Sequence, residues 1–328
     1  MLDAMASPGE RAAGAPAPLQ AAAPRRSCLT VPGSSERFLA KAAAVPADEL
    51  ILDLEDSVAP AEKERARDLV AGVAAGTDWG GRLLAVRVNG AASQWAFADV
   101  IEVVTRAGSR IDAVVLPKVA SPAHIHWLDL LLGQVEQASG LPPGRIAIEA
   151  QIEDAAGLEA AGRIAAASPR LTTLIVGPAD LMASLGMRSL RIGVPPPGYP
   201  GDALHYPLLR VLVAARSAGL QAIDGPYAAI GDLDGLRAAA VSAAALGFDG
   251  KWVVHPDQVE VVNSAFRPGQ EEYERAEAIL EAYEHASAVR RRGAVMFGGE
   301  MIDEASRRLA QAIAARGRAA GLARHGGG

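Results

Sequence analysis

Ile51-Leu52-Asp53-Leu54-Glu55-Asp56-Ser57 is a short apolar run that turns acidic at its end, and an Ala-, Glu- and Arg-rich stretch with helical spacing follows it over residues 61–74. A buried strand feeding an amphipathic helix reads this way. The unit recurs on both sides. Apolar, β-branched runs occupy residues 28–31, 49–54, 83–88, 113–116, 146–152, 173–176, 221–223 and 251–254, with helix-like stretches such as 36–44, 155–166 and 208–218 between them. Eight βα units over about 240 residues match the size of a TIM barrel. The expected fold is therefore α/β, a (β/α)8 TIM barrel, with a doubly wound open sheet as the alternative.

Three segments fall outside the alternation. Residues 1–24 are rich in Ala, Pro and Gly, but Asp3, Glu10 and Arg11 interrupt the apolar core that a signal peptide needs, so they read as a disordered leader. Between Arg188 and Tyr206, Pro195, Pro196, Pro197, Gly198, Pro200 and Gly201 make a long loop of the kind that shapes a barrel mouth. After the barrel (residues 25–268), residues 269–328 form a helical arm with a Gly-rich turn at Phe297-Gly298-Gly299-Glu300 and a disordered tail.

The chemistry of such a barrel sits at the carboxyl ends of its strands. The second strand ends at Asp53, Glu55 and Asp56, the fifth at Glu153 and Asp154, the sixth at Asp180 and the seventh at Asp224. Carboxylates gathered at one mouth repel each other and lose hydration, and a hard divalent cation offsets both costs. Mg²⁺ suits them, with Mn²⁺ as a substitute. Zinc does not, because His124 and His126 stand two apart on a helical stretch and face different sides. The structural alternative is that Asp56, Asp154 and Asp180 cap the helices that follow. Arg87 and Lys118 end the third and fourth strands, where a cation can hold a substrate carboxylate or a developing enolate, or simply pair with Glu55 and Asp56.

Composition narrows the partners. The 328-residue chain carries a formal charge of −6 and no basic block apart from Arg290-Arg291-Arg292, which reads as a solvated helix end, so no nucleic-acid footprint is expected. No run of about eighteen apolar residues predicts a membrane span. The single cysteine, Cys28, excludes an internal disulfide and points to a reducing, cytoplasmic compartment. An anionic ligand such as CoA remains compatible, since a few placed cations suffice locally.

Arg26-Ser27-Cys28-Leu29-Thr30-Val31-Pro32-Gly33 followed by Ile51-Leu52-Asp53-Leu54-Glu55-Asp56-Ser57-Val58 resembles the citrate lyase β-subunit family of the HpcH/HpaI aldolase superfamily. Val86-Arg87-Val88-Asn89, Leu116-Pro117-Lys118-Val119, Ile152-Glu153, Gly177-Pro178-Ala179-Asp180-Leu181, Ile223-Asp224-Gly225-Pro226-Tyr227 and Gly247-Phe248-Asp249-Gly250-Lys251-Trp252-Val253-Val254-His255-Pro256 follow in that family's order, over about residues 25 to 310. The resemblance implies that Glu153 and Asp180 hold Mg²⁺. Arg87 would stabilise the substrate enolate, and Glu55 and Asp56 would order metal-bound waters. Arg26, Lys118, Lys251, His255 and Pro256 are the expected substrate and CoA contacts. Two departures stand out: Asp154, where the family more often has Thr or Ser, adds a charge, and the proline-rich loop is unusually marked.

Within the family, Gly298-Gly299-Glu300-Met301-Ile302-Asp303 resembles the arm of stand-alone malyl-CoA and citramalyl-CoA lyases. There it implies that Asp303 acts as acid and base in a neighbouring subunit of a trimer or hexamer. Asp303 could instead cap the helix that follows it. The implied activity is Mg²⁺-dependent, reversible Claisen or aldol cleavage of a 3-hydroxyacyl-CoA thioester to a 2-oxo acid and an acyl-CoA. The alternatives are a class II aldolase on free 2-oxo acids, a malyl-CoA thioesterase and a non-catalytic relative.

Overall fold

A computed structural model of the protein describes residues 23–194, 198–290 and 294–325. Eight parallel strands close on themselves: β1 (Ser27–Pro32), β2 (Glu49–Asp53), β3 (Leu83–Arg87), β4 (Ala113–Leu116), β5 (Ala147–Ile152), β6 (Leu171–Val176), β7 (Gln221–Asp224) and β8 (Gly250–Val253). The closing pair matches Ser27 with Lys251 and Cys28 with Trp252. Closure excludes the open doubly wound sheet. Each strand lies within about two residues of its expected place.

Helices α1 (Glu36–Ala42), α2 (Lys63–Gly76), α3 (Ala96–Ala107), α4 (Pro122–Ala138) and α5 (Ala155–Ala165) follow the first five strands; α6 (Pro178–Ser184) and α7 (His205–Ser217) share the sixth connection, and α8 (Leu233–Leu246) and α9 (Asp257–Ala265) follow the last two strands. Their starts are local chemistry: Ser35 and Asp232 cap α1 and α8, while Pro122 and Pro178 sit at first-turn positions where a missing N–H costs nothing. The residues of the expected leader numbered 1–22, the prolines 195–197, Arg291, Arg292 and the tail 326–328 lie outside the described residues.

Two buried clusters divide the strands' alternate residues. Cys28, Ile51, Ala85, Val115, Ile175 and Trp252 meet inside the barrel, while Leu50, Leu52, Val86, Val114 and Ile148 pack outward against the helices. Below this apolar layer, at the amino-terminal end, Arg25 reaches Glu149 at 2.9 Å and Glu49 at 3.4 Å. Arg26 also belongs to this floor. Its backbone N–H and guanidinium donate to Asp48 at 2.8–2.9 Å, ahead of β2 and at the end opposite the carboxyl ends of the strands. The expectation that Arg26 contacts substrate or CoA is corrected accordingly: it clamps two strand starts together.

The arm consists of α10 (Gln270–Arg290), a hairpin of β9 (Val295–Phe297) and β10 (Glu300–Ile302), and α11 (Glu304–Ala319). The Gly-rich turn is the hairpin's corner, with Gly298 and Gly299 at φ 56° and 85°. Tyr273 and Ala276 of α10 pack on Ala310 and Ala314 of α11, and Arg316 donates to Asp249 at 3.2 Å at the start of β8. No helix among the described residues is long and apolar enough to cross a membrane.

Candidate active site

Five strand ends, those of β2 to β6, build a charged mouth. Arg87, the last residue of β3, points inward and makes a two-pronged bond to Asp53 at the end of β2, Nε to Oδ1 and Nη2 to Oδ2, both at 2.7 Å. Its third nitrogen lies 3.3 Å from Glu55 and 3.9 Å from Asp56, and its guanidinium sits 5.3 Å from the Trp252 ring centre. Asp53 also accepts from the Glu55 N–H and the Ser57 hydroxyl. Burial opposes its charge, but Arg87 and these bonds outweigh burial and hold Asp53 below the ordinary carboxylate range. The guanidinium is thereby fixed in plane and orientation before any substrate arrives.

Glu55 is buried deeply enough to be pushed up despite Arg87, while hydrogen bonding and the nearby cations draw the more exposed Asp56 down. Lys118 joins them. Its ammonium bonds Glu55, lies 3.2 Å from Asp56 and 3.8 Å from Asp180, and its backbone has a φ of 55°, the one left-handed non-glycine among the described residues. A strained backbone held by a fully bonded side chain is typical of functional loops.

Glu153 follows β5 and is 3 % exposed, with Oε2 buried and lacking a hydrogen-bond partner. Burial first, and the Glu55 charge second, push its pKa up to about 8. Room for its side chain comes from Gly177, where any Cβ would collide with the Glu153 carboxyl arm. Asp180 stands half exposed in the first turn of α6, whose cap is Gly177, so Asp180 is free of the capping role.

Glu153 has a buried oxygen without a hydrogen-bond partner, and Asp180, whose charge acts on Glu153, is half exposed with Lys118 3.8 Å away. Among the described residues no three His, Cys, Asp or Glu side chains converge as a closed cage. Two carboxylates with open positions fit Mg²⁺ and not structural zinc. His124 accepts from the Ala120 N–H and builds no zinc pair with His126.

The other expected residues divide. His255 and Pro256 follow β8 at the mouth side, where His255 is half-buried and accepts from the Asp257 N–H. Lys251 is a correction. Trp252 faces the interior, so alternation turns Lys251 outward through the wall, where it is buried against Asp224 at 2.5 Å. Asp224 therefore leaves the mouth as well. Asp154 caps α5 through the Gly157 N–H at 2.6 Å, so it serves the helix. Asp303 caps α11, accepting from the Ser306 N–H at 3.0 Å, and no hydrogen bond or ion pair joins it to Glu55, Arg87, Glu153 or Asp180 of its own chain. From sequence Asp53 reads only as one of the acids that end the second strand, without its role of orienting Arg87, and Gly177 was not singled out; Asp53 stands two residues before Glu55, on the same inward face, and that spacing was the available signal.

Comparison with known proteins fits this geometry. The family described as HpcH/HpaI aldolase/citrate lyase matches residues 26–256, and one described as a C–C bond lyase of the TIM-barrel fold matches residues 219–322. The chain is 38 % identical over 305 residues to an L-malyl-CoA/beta-methylmalyl-CoA lyase of Cereibacter sphaeroides, covering 90 % of this chain and 95 % of the relative. It is 39 % identical over 265 residues to a (3S)-malyl-CoA thioesterase of the same species, covering 80 % and 84 %. Among solved structures, protein CitE of Mycobacterium tuberculosis, in complex with magnesium, acetoacetate and coenzyme A, superposes with a TM-score of 0.72 at 31 % identity, covering 90 % of this chain and 99 % of that one. The chain belongs to the HpcH/HpaI aldolase/citrate lyase family and is a carbon–carbon lyase.

Proposed function

We propose that this protein cleaves and forms a 3-hydroxyacyl-CoA thioester of the malyl-CoA or citramalyl-CoA type, releasing a 2-oxo acid and an acyl-CoA, with Mg²⁺ held by Glu153 and Asp180. The observation that carries the reading is the buried, unpartnered Glu153 carboxylate beside an Arg87 already locked by Asp53. When bound, the metal supplies positive charge for the oxygens of the 2-oxo acid. Arg87 donates to the thioester oxygen as it gains enolate charge, and because its orientation is fixed beforehand no reorganisation is required in the transition state. Glu55 and Asp56 would orient water beside the Glu153 and Asp180 carboxylates that would hold the metal. Lys118 faces the 2-oxo acid carboxylate.

The proton at the acyl carbon falls to Asp303 of a neighbouring subunit in a cyclic homotrimer or a dimer of trimers. The Ser306 N–H at the start of α11 holds Asp303 below the ordinary carboxylate range, so it rests ionised. In condensation it takes the proton from the acyl carbon and passes it through water to the new alkoxide oxygen; in cleavage the path reverses, the hydroxyl proton moving through water to Asp303 and from there to the enolate carbon as the carbon–carbon bond breaks. The same reading places the enzyme in the cytoplasm, in keeping with one free, buried cysteine.

Similarity to a malyl-CoA thioesterase favours a second activity at the same site. One assay separates the readings. Malyl-CoA and citramalyl-CoA are incubated with the protein and Mg²⁺, and products are resolved by mass spectrometry. A 2-oxo acid with acyl-CoA supports the lyase, free CoA with a hydroxy diacid supports the thioesterase, and unchanged substrate overturns both.

A further inference from the structure

Beside the mouth, between the loops that follow β2, β3 and β4, lies a cavity of about 440 Å³. It falls within the range of about 300–1,000 Å³ typical of ligand sites and is far larger than a methyl group needs. Its inner wall is Glu55, Asp56 and Lys118; Glu153 and Asp180 do not line it.

Most polar groups that line the cavity already have partners in the protein, and His124 accepts from the Ala120 N–H at one of its two ring nitrogens. Lys63 donates to the Leu54 carbonyl, the Glu55 carbonyl and Asn89 Oδ1 at 2.7–2.8 Å. Asn89 in turn donates to Asp99 at 2.6 Å and to the Leu54 carbonyl at 3.0 Å. Ser93 accepts from the N–H groups of Trp95 and Ala96, and Glu55, Asp56 and Lys118 bond one another. What the cavity offers a guest is the surface of Val58, Pro60, Ala91, Ala92 and the Trp95 ring, a ring steadied by Lys63 at 5.5 Å from its centre. A polar floor whose charged groups pair with one another, under an apolar wall, is a preformed site for hydrocarbon.

We infer that this cavity receives an apolar substituent of several carbons carried on the acyl half of the thioester, so that acyl-CoA substrates longer than propionyl-CoA are accepted. The inference rests on the proposed lyase reading. The assignment to the acyl half follows from position: Glu55 and Asp56, the inner wall, touch Arg87, which takes the thioester oxygen, whereas the 2-oxo acid belongs at Glu153 and Asp180 on the other side of Lys118.

The test compares acetyl-, butyryl- and hexanoyl-CoA in Mg²⁺-dependent condensation with glyoxylate, in the native protein, in Ala91→Leu, which fills the cavity, and in Trp95→Ala, which enlarges it. One methylene in an apolar pocket changes kcat/KM by about 10–200-fold. Ala91→Leu is therefore expected to lower the hexanoyl-to-acetyl ratio of kcat/KM by at least about tenfold, and Trp95→Ala to raise it, with acetyl-CoA turnover held within about twofold in both. The same ratio is read in dissociation constants by calorimetry, which needs no turnover. A ratio that is the same in all three proteins by both measurements overturns the cavity assignment. Absence of turnover together with a shifted binding ratio upholds the cavity and counts against the lyase reading alone.

Discussion

At the floor of the barrel Arg25 faces Glu49 and Glu149; at the mouth Arg87 faces Asp53, Glu55 and Asp56, with Glu153 behind them. Both ends carry more acid than base, and both leave buried carboxylate oxygens without hydrogen-bond partners: Oε2 of Glu49 and both oxygens of Glu149 at the floor, where the 2.9 Å contact of Glu149 with Arg25 is a charge contact without bonding alignment, and Oε2 of Glu153 at the mouth. The ends differ in access. Glu149 is wholly buried, and burial together with the Glu49 charge pushes it well above the ordinary range, with no route for an ion from solution. At the mouth a second cation, Lys118, is 44 % exposed, and Asp180 half exposed, so the surplus there can be met by an ion from solution. The same excess charge is structural where it is sealed and functional where it is open.

The comparison breaks first at the metal. Glu153→Gln or Asp180→Asn is expected to abolish Mg²⁺-dependent turnover while the protein stays folded by circular dichroism, and EDTA should do the same to the native protein reversibly. Turnover that survives thorough chelation removes the metal from the mouth. Arg87→Lys comes next. A point-charge ammonium cannot reproduce the planar fork that grips Asp53, so kcat is expected to fall by about 10²–10³-fold with KM little changed. A loss confined to KM would make Arg87 a ground-state contact.

Subunit sharing predicts a smaller but distinctive signal. Glu153→Ala and Asp303→Ala chains, each inactive alone, should on random mixing in a cyclic trimer regain about a quarter of native activity, since about three quarters of trimers are mixed and each has one intact site of three. Proven mixing without recovery confines Asp303 to capping α11.

The floor gives the smallest effect. Glu149→Gln is expected to stabilise the protein by about 1 kcal/mol at neutral pH, because an isosteric neutral group replaces a buried acid that resists ionising. The sign follows from linkage: the folded pKa lies above the ordinary 4.5, so native stability declines as pH rises past that value toward the raised pKa. Denaturant melts of the two proteins should therefore coincide below about pH 4 and separate as pH rises. Equal stability at all pH values would show Glu149 to be satisfied. Turnover should be untouched, in contrast with Glu153→Gln.

The barrel was legible because each strand is a short apolar run bounded by turn residues, and eight such runs at βα spacing leave few topologies open. Glu55, Asp56, Arg87, Lys118, Glu153 and Asp180 were legible as polar residues at strand ends. Facing was not read. Arg26 sits before its strand rather than after it, and Lys251 and Asp224 lie one residue from inward neighbours, so a one-residue shift puts each behind the wall. Long-range bonds were also invisible: Lys63 meets Asn89 26 residues away, Arg67 meets Asp99 32 residues away, and no local pattern links them.

Gly177 bears on how such a protein tolerates change. It has no side chain to react or bind, yet every other amino acid at that position intrudes on Glu153. In a saturation library selected for turnover, position 177 should tolerate as little as position 153, although a scan of chemistry alone would pass over it. Survivors carrying alanine there should be enriched for Glu153→Asp, the shorter acid that withdraws from the added methyl.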